Sequence, residues 1–210
     1  MDLHLKINSQ LFIIWLFHLS AIIGISSGYS DWFLSKTPLN LCVLLLVMIL
    51  SFNLKNIRNL VAFIVIVILG FSVEVLGVHF AWFFGKYSYG DNFGIKLFDV
   101  PLLIGVNWGI LSLTSYTIVS TYVKKLWLKA VLAALLMLTL DYLMEYIAPR
   151  FDFWEFHSEA VPFRNYVSWF LFAFLFILIC HFLKVKGSVK TAAHIFGVQL
   201  IFFLYFYGYF

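Results

Sequence analysis

Residues 60–83 read LVAFIVIVILGFSVEVLGVHFAWF, an apolar run whose only acidic residue is Glu74. A helix needs about 20 predominantly apolar residues to cross the hydrocarbon core of a bilayer. Runs of near that length occur seven times, at residues 8–26, 38–53, 60–83, 100–123, 126–147, 165–183 and 191–209. The sequence therefore predicts an all-α, polytopic membrane helix bundle with about seven transmembrane helices, folded as a single domain over residues 1–210.

The composition of the whole chain supports this prediction. Hydrophobic residues make up 63% of it and charged residues 11%, whereas an ordinary globular domain carries about 25% charged residues. So few charges cannot cover the surface of a soluble protein. This excludes a soluble enzyme and a disordered chain and, despite the net charge of +4, a partner role for nucleic acid. Aromatic residues reach 20%, which is more than membrane spans require.

Basic residues predict how the bundle is oriented. We call the side that holds the N-terminus side A and the opposite side side B. Side A carries Lys6, Lys55, Arg58, Lys124, Lys125, Lys129, Lys184, Lys186 and Lys190, and side B carries Lys36, Lys86, Lys96, Arg150 and Arg164. The positive-inside rule then places the N-terminus in the cytoplasm. The expected location is the plasma (inner) membrane.

Capping residues and prolines are expected to mark several helix ends. Thr37 followed by Pro38 suits the start of the second span, and Asn59 suits the cap of the third. Pro101 is expected at the start of the fourth span, and Pro149 should end the fifth.

Three acidic residues inside the spans are the candidate catalytic groups. Glu74 lies in the third span, while Asp141 and Glu145 are four residues apart in the fifth and so share one helix face. A charged side chain at the bilayer centre costs about 2.5–3.5 kcal/mol on insertion scales, so such residues face the interior and commonly serve function. Two neighbouring acids favour one acting as acid and one as base. A purely structural role, bonding Tyr, Asn or His across helices, is the alternative.

Polar and aromatic residues toward side B are the candidate substrate-binding groups. They lie at the end of the third span, early in the fourth and sixth spans, or in the two long side-B loops, 84–99 and 148–164. The set comprises His79, Tyr87, Tyr89, Asn107, Trp108, Trp154, Asn165 and Trp169. An interfacial aromatic belt is the other explanation for the Trp and Tyr residues.

Metal and cofactor signatures are missing from the sequence. The six histidines form no H-x-x-x-H, H-E-x-x-H or E-x-x-H pattern. The last span has no lysine for a retinal, and no Gly-rich phosphate loop or redox motif occurs. We therefore expect neither a metal nor a cofactor, and chemistry that uses carboxyls, water and aromatic side chains.

A series of short motifs between about residues 70 and 170 resembles one known family. In order they are Glu74-Val-Leu-Gly77, Gly85-Lys-Tyr87-Ser-Tyr89, Val100-Pro-Leu-x-Ile-Gly-x-Asn107-Trp108, Asp141-Tyr-Leu-Met-Glu145, Asp152-Phe-Trp154, Pro162-x-x-Asn165-Tyr166 and Trp169-Phe170. Together they resemble the integral-membrane carotenoid biosynthesis proteins of the CruF type, a family that includes carotenoid 1,2-hydratases and the hydratase of bisanhydrobacterioruberin. The chain departs from the pattern at Phe156, where a second Trp is expected, and at Arg164, which is bulkier than expected before Asn165.

The resemblance implies a cofactor-independent hydro-lyase, a hydratase that adds water across the terminal (1,2) double bond of an acyclic or monocyclic carotenoid end. A carboxyl would protonate the less substituted carbon, aromatic faces would stabilise the tertiary cation, and a second carboxylate would take a proton from water. Glu74, Asp141 and Glu145 would form this acid–base set, with Asn107 and Asn165 positioning the water. The implied partners are a hydrophobic polyene, water, the lipid bilayer and other carotenoid biosynthesis enzymes.

Two other functions fit the same residues. A carotenoid or isoprenoid cyclase, or an isomerase, begins with the same protonation but captures the cation internally. A small membrane carrier or proton-coupled channel would use the carboxyls as a relay. The side-A halves of the spans hold few ionisable groups, which argues against a continuous relay.

Overall fold

The computed structural model describes residues 3–210, with side chains described from Ser9 onward, so Lys6 of side A lies outside the described side chains. The helices are α1 (Leu3–Ser26), α2 (Ser30–Leu34), α3 (Thr37–Ser51), α4 (Ile57–Phe80), α5 (Leu102–Tyr122), α6 (Leu126–Ile147), α7 (Phe163–Phe182) and α8 (Val189–Tyr209). Seven helical segments in the described part are long and apolar enough to span a membrane, with α2 and α3 forming one of them. The predicted helical membrane bundle is confirmed, and these lengths suit a multi-pass membrane protein.

Prolines lie next to helix termini where the sequence predicts. Helix α5 begins directly after Pro101, and α6 ends at Ile147, two residues before Pro149, which lies in a 3₁₀ turn over Ala148–Phe151. The predicted cap at Thr37 is wrong. Thr37 already lies in the first turn of α3, and its Oγ1 donates to the carbonyl oxygen of Leu34 at 2.7 Å.

The predicted cap at Asn59 is also wrong, because Asn56 caps α4 by accepting from the backbone N–H of Arg58 at 3.0 Å. Asn59 is buried instead. Its Nδ2 donates to the carbonyl oxygens of Phe52 and Lys186, and its Oδ1 accepts from the Lys186 N–H at 3.1 Å. Asn59 therefore ties the α3–α4 connection to the α7–α8 connection.

Helix α5 is the centre of the bundle and packs against α3, α4, α6, α7 and α8. Small residues let it approach α4 closely, as they commonly do between transmembrane helices. A Cβ placed on Gly105 would lie 2.6 Å from the carbonyl oxygen of Val67, and one on Gly109 would lie 2.5 Å from the ring of Phe63. Only glycine fits at these two positions of α5 while the helices keep this spacing.

Short strands join the two long side-B loops. The all-helical prediction does not include these strands. Strand β1 (Tyr87–Tyr89) pairs antiparallel with β4 (Trp154–Phe156), with Tyr87 opposite Phe156 and Tyr89 opposite Trp154. Strands β2 (Lys96–Leu97) and β3 (Val100–Pro101) form a second small pair. Alternate residues of a strand share one face, so Tyr87 and Tyr89 are both buried while Ser88 between them is exposed.

Candidate functional site

The Glu74 carboxylate on α4 is buried and accepts three side-chain hydrogen bonds. Its Oε2 accepts from the hydroxyls of Tyr87 at 2.6 Å and Tyr89 at 2.8 Å. Its Oε1 accepts from the indole Nε1 of Trp108 at 2.9 Å. Donors from strand β1 and from helix α5 thus converge on one carboxylate.

Two glycines of α4, one turn before and nearly one turn after Glu74, make room for these donors. A Cβ on Gly70 would lie 2.8 Å from Cγ of Trp108, and one on Gly77 would lie 2.8 Å from the hydroxyl of Tyr87. Larger residues would push both donors away from Glu74. The glycines on either side of Glu74 therefore allow the rings of Trp108 and Tyr87 to reach its carboxylate.

The Glu145 carboxylate near the end of α6 is held in a similar way. Its Oε2 accepts from the indole Nε1 of Trp154 at 2.8 Å, and its Oε1 accepts from Nδ2 of Asn165 at 2.8 Å. Trp154 comes from strand β4, and Asn165 lies in the first turn of α7. Arg164 is exposed, so its bulk does not prevent Asn165 from pointing inward.

Asp141 differs from both glutamates. It lies one turn before Glu145 on α6 and is 1% exposed. Neither of its carboxyl oxygens has a hydrogen-bond partner within the described part of the chain. Buried polar groups are nearly always paired. The lack of a partner therefore argues against a purely structural, hydrogen-bonding role for Asp141.

The two tyrosines of β1 act as donors to Glu74. Burial, and after it the charge of Glu74, raises the pKa of the Tyr87 and Tyr89 phenols well above their ordinary value. Both hydroxyls therefore keep their protons at neutral pH. A hydroxyl that holds its proton can donate it in a hydrogen bond to a carboxylate.

A small cavity lies between the two glutamates, with a volume of about 10 Å³. It is lined by Glu74, Phe84, Tyr87, Tyr89, Ile104, Glu145, Trp154, Phe156, Asn165 and Trp169. A space of about 10–15 Å³ by this measure holds one water, given two to four polar partners. The arrangement can therefore hold a single water between two carboxyls, inside an aromatic wall.

Stacked indoles form part of that wall. The rings of Trp108 and Trp169 stack with centroids 3.7 Å apart and planes 17° apart. Trp108 donates to Glu74, and Trp169 lines the small cavity. Aromatic faces attract cations, so this wall suits a short-lived positive charge beside the carboxyls.

Most of the sequence-predicted site residues line this cavity or bond to its glutamates. Asp141 is next to it on α6, one turn before Glu145, while His79 and Asn107 lie elsewhere. The half-exposed His79 ring has its Nε2 3.1 Å from the carbonyl oxygen of Phe98, on the outer side of α4. Asn107 is buried, yet it lines a different, larger cavity and its Nδ2 has no partner among the described residues.

Sequence reasoning missed three residues of the wall, Phe84, Ile104 and Phe156. Phe156 stands where the family pattern has Trp, and it packs on Tyr87 with ring centroids 5.4 Å apart. The alternation of Trp154 and Phe156 could have indicated a strand with one lining face. No three His, Cys, Asp or Glu side chains group closely enough to hold a metal ion among the described residues.

Comparisons with known proteins agree with the motifs. Residues 37–209 match the model of a family described as carotenoid biosynthesis protein. The chain is also similar to bisanhydrobacterioruberin hydratase of Haloarcula japonica, with 25% identity over 144 residues, which are 62% of this chain and 47% of that protein. The chain thus matches about half the length of that curated relative. No solved structure matches the chain.

Proposed function

Because the chain belongs to the family of carotenoid biosynthesis proteins, we propose that it is a carotenoid hydratase. It would add water across the terminal carbon–carbon double bond of a polyene and give a tertiary alcohol, without a cofactor. The similarity to a protein named as a hydratase supports this choice within the family.

The observation that carries the proposal is the space between Glu74 and Glu145. It is large enough for about one water, and carboxyl groups from two helices line it. Hydration needs one water held beside an acid and a base. A cyclase needs the opposite, because water at the cation would capture it before ring closure.

The hydrogen bonds suggest which carboxyl does what. Donor groups stabilise negative charge on a carboxylate, and Glu74 accepts three hydrogen bonds whereas Glu145 accepts two. We assign Glu74 as the base that takes a proton from water. Glu145 is then the acid, and Asp141, one turn away and without donors, supplies its proton.

The reaction then proceeds in two steps. The carboxyl proton of Glu145 goes to the less substituted carbon of the terminal double bond, whose π electrons form the new C–H bond and leave a tertiary cation. The aromatic wall stabilises that cation by about 2 kcal/mol or more per well-placed, desolvated ring. The water oxygen bonds to the cationic carbon and releases a proton to Glu74. Asp141 then reprotonates Glu145, and return of the proton from Glu74 to Asp141 completes the cycle.

Expression in cells that make lycopene or a monocyclic carotene tests the proposal. We expect the pigment to gain one water per reacting end, measured by mass spectrometry, and to carry a tertiary hydroxyl by NMR. An isomer of unchanged mass would point to the cyclase instead. Unchanged pigments in both hosts, with the protein present in the membrane, would contradict hydration of these carotenoids.

A further inference from the structure

A second, much larger cavity of about 260 Å³ lies between α1, α3 and α8. Its walls are mainly aromatic and aliphatic and include Phe17, Phe33, Leu44, Phe202 and Phe203. Lys36 and Thr37 also line it, so the cavity reaches the side-B ends of these helices. A mainly apolar space of this size in a membrane bundle suits a branched hydrocarbon.

The polar atoms of this cavity include an acceptor without a donor. His18 Nδ1 lies 2.8 Å from the carbonyl oxygen of Ile14, so this nitrogen carries the ring proton. The other ring nitrogen, Nε2, therefore accepts from Nδ2 of Asn40 at 3.2 Å. This leaves Oδ1 of Asn40 buried and without a partner in the described region.

A donor without an acceptor lines the same cavity. Asn107 is 2% exposed, and its Nδ2 has no partner within the residues that the structure describes. Unmade hydrogen bonds of buried groups are costly, so such atoms indicate a missing partner. A hydroxyl group can donate to Asn40 and accept from Asn107, because its oxygen does both.

The larger cavity shares a wall with the carboxyl site. Met144 faces the larger cavity, and the next residue, Glu145, lines the small one. Phe153 and Trp154 are divided between the cavities in the same way. Asn107 likewise precedes Trp108, the donor to Glu74. The two spaces are therefore adjacent.

We propose that the larger cavity binds an isoprenoid chain end that carries a tertiary alcohol, with the hydroxyl between Asn40 and Asn107. This inference rests on the proposed hydration, of which such an end is the product. The small cavity has room for one water, whereas the larger cavity beside it has room for a branched chain end. The hydrated end is thereby removed from the acid that could dehydrate it again.

Photoaffinity labelling of the purified full chain in phosphatidylcholine nanodiscs tests this directly. The probe is a diazirine analogue of dihydromyrcenol, a ten-carbon isoprenoid with a terminal tertiary alcohol. Labelled peptides should map to α1, α3 and α8 at the cavity. Unlabelled dihydromyrcenol should compete about tenfold better than citronellene, the alkene without the hydroxyl, since a satisfied buried pair is worth about that factor.

Three variants sharpen the test. Ala21→Phe fills the cavity and should abolish labelling, whereas Ala193→Phe, the same change on an exposed position of α8, should leave it intact. Asn107→Leu removes the donor and should bring the alcohol preference close to one. Equal competition by alcohol and alkene in the unaltered chain, or labelling that survives Ala21→Phe, would overturn the proposal.

Binding and catalysis are separated by this design. Labelling needs no turnover, so a chain that binds the alcohol specifically but hydrates no carotene contradicts the proposed function alone. A chain that hydrates carotene but shows no alcohol preference contradicts only the inference about the larger cavity.

Discussion

The carboxylate of Glu74 accepts hydrogen bonds from two separate elements of the chain, β1 and α5. Glu74→Gln keeps the size of the side chain but removes the proposed base. We expect hydration to fall by about 10²–10⁴-fold, the usual contribution of a general base. Tyr89→Phe is the matched control, because it removes one donor and keeps the carboxyl, and it should lose far less. Pigment conversion in a lycopene-producing host measures both, and full activity in Glu74→Gln would rule out this base.

The unpartnered Asp141 leads to a different prediction. Asp141→Asn should lower kcat with little change in KM, because in the proposed mechanism Asp141 gives a proton to Glu145 and does not hold the polyene. The melting temperature in detergent should not fall, since the acid has no hydrogen bond to lose. A lower melting temperature together with unchanged kcat would instead show a structural role.

Among the elements, the β1–β4 pair holds Trp154 in place over Glu145. The exposed Glu155 lies opposite Ser88 in this pair. Glu155→Pro removes a backbone donor that an antiparallel ladder uses, so hydration should fall at least tenfold while helix content by circular dichroism stays the same. Glu159→Pro, in the exposed bend nearby, is the control and should retain activity. Equal activity of the two variants would mean that the strand pair does not position the site.

Elements differ in how well the sequence predicts them. The seven spans follow from the thickness of the bilayer, which sets a minimum apolar length, and Pro101 and Pro149 act locally. The strands could not be predicted in this way, because three-residue segments show no clear period and pair across more than sixty residues of chain. Asn59 is a residue type that commonly caps helices, but its hydrogen bonds to Lys186 depend on tertiary packing.

Site prediction has a similar limit. Burial cost alone singled out Glu74, Asp141 and Glu145, and the structure places all three among the buried residues. Which carboxyl has donors and which has none depends on contacts between distant elements. His79 is also predicted as a site residue because it lies close to Glu74 in sequence. It lies on the outer face of α4, away from the acids.

For the whole molecule, the distribution of basic residues predicts the orientation in the membrane. Side A should face the cytoplasm. In intact cells, a membrane-impermeant maleimide should label Ser158→Cys in the side-B loop, and it should label Lys125→Cys only after permeabilisation. The natural chain is the control for background, since Cys180 is buried within α7 and Cys42 lies within the α3 span. The reverse pattern would invert the assigned orientation.

Both buried glutamates come earlier in the chain than every side chain that donates to them. Glu74 lies on α4 and its donor Trp108 on the next helix, α5. Glu145 lies on α6 and its donor Asn165 on the next helix, α7. A ribosome therefore delivers each acid to the translocon before its donors have been synthesised. The nascent bundle therefore carries Glu145 without its Asn165 donor until α7 has inserted. Completion of the site is thus a late event of biogenesis, and chains stalled before residue 165 lack it however many spans they have placed.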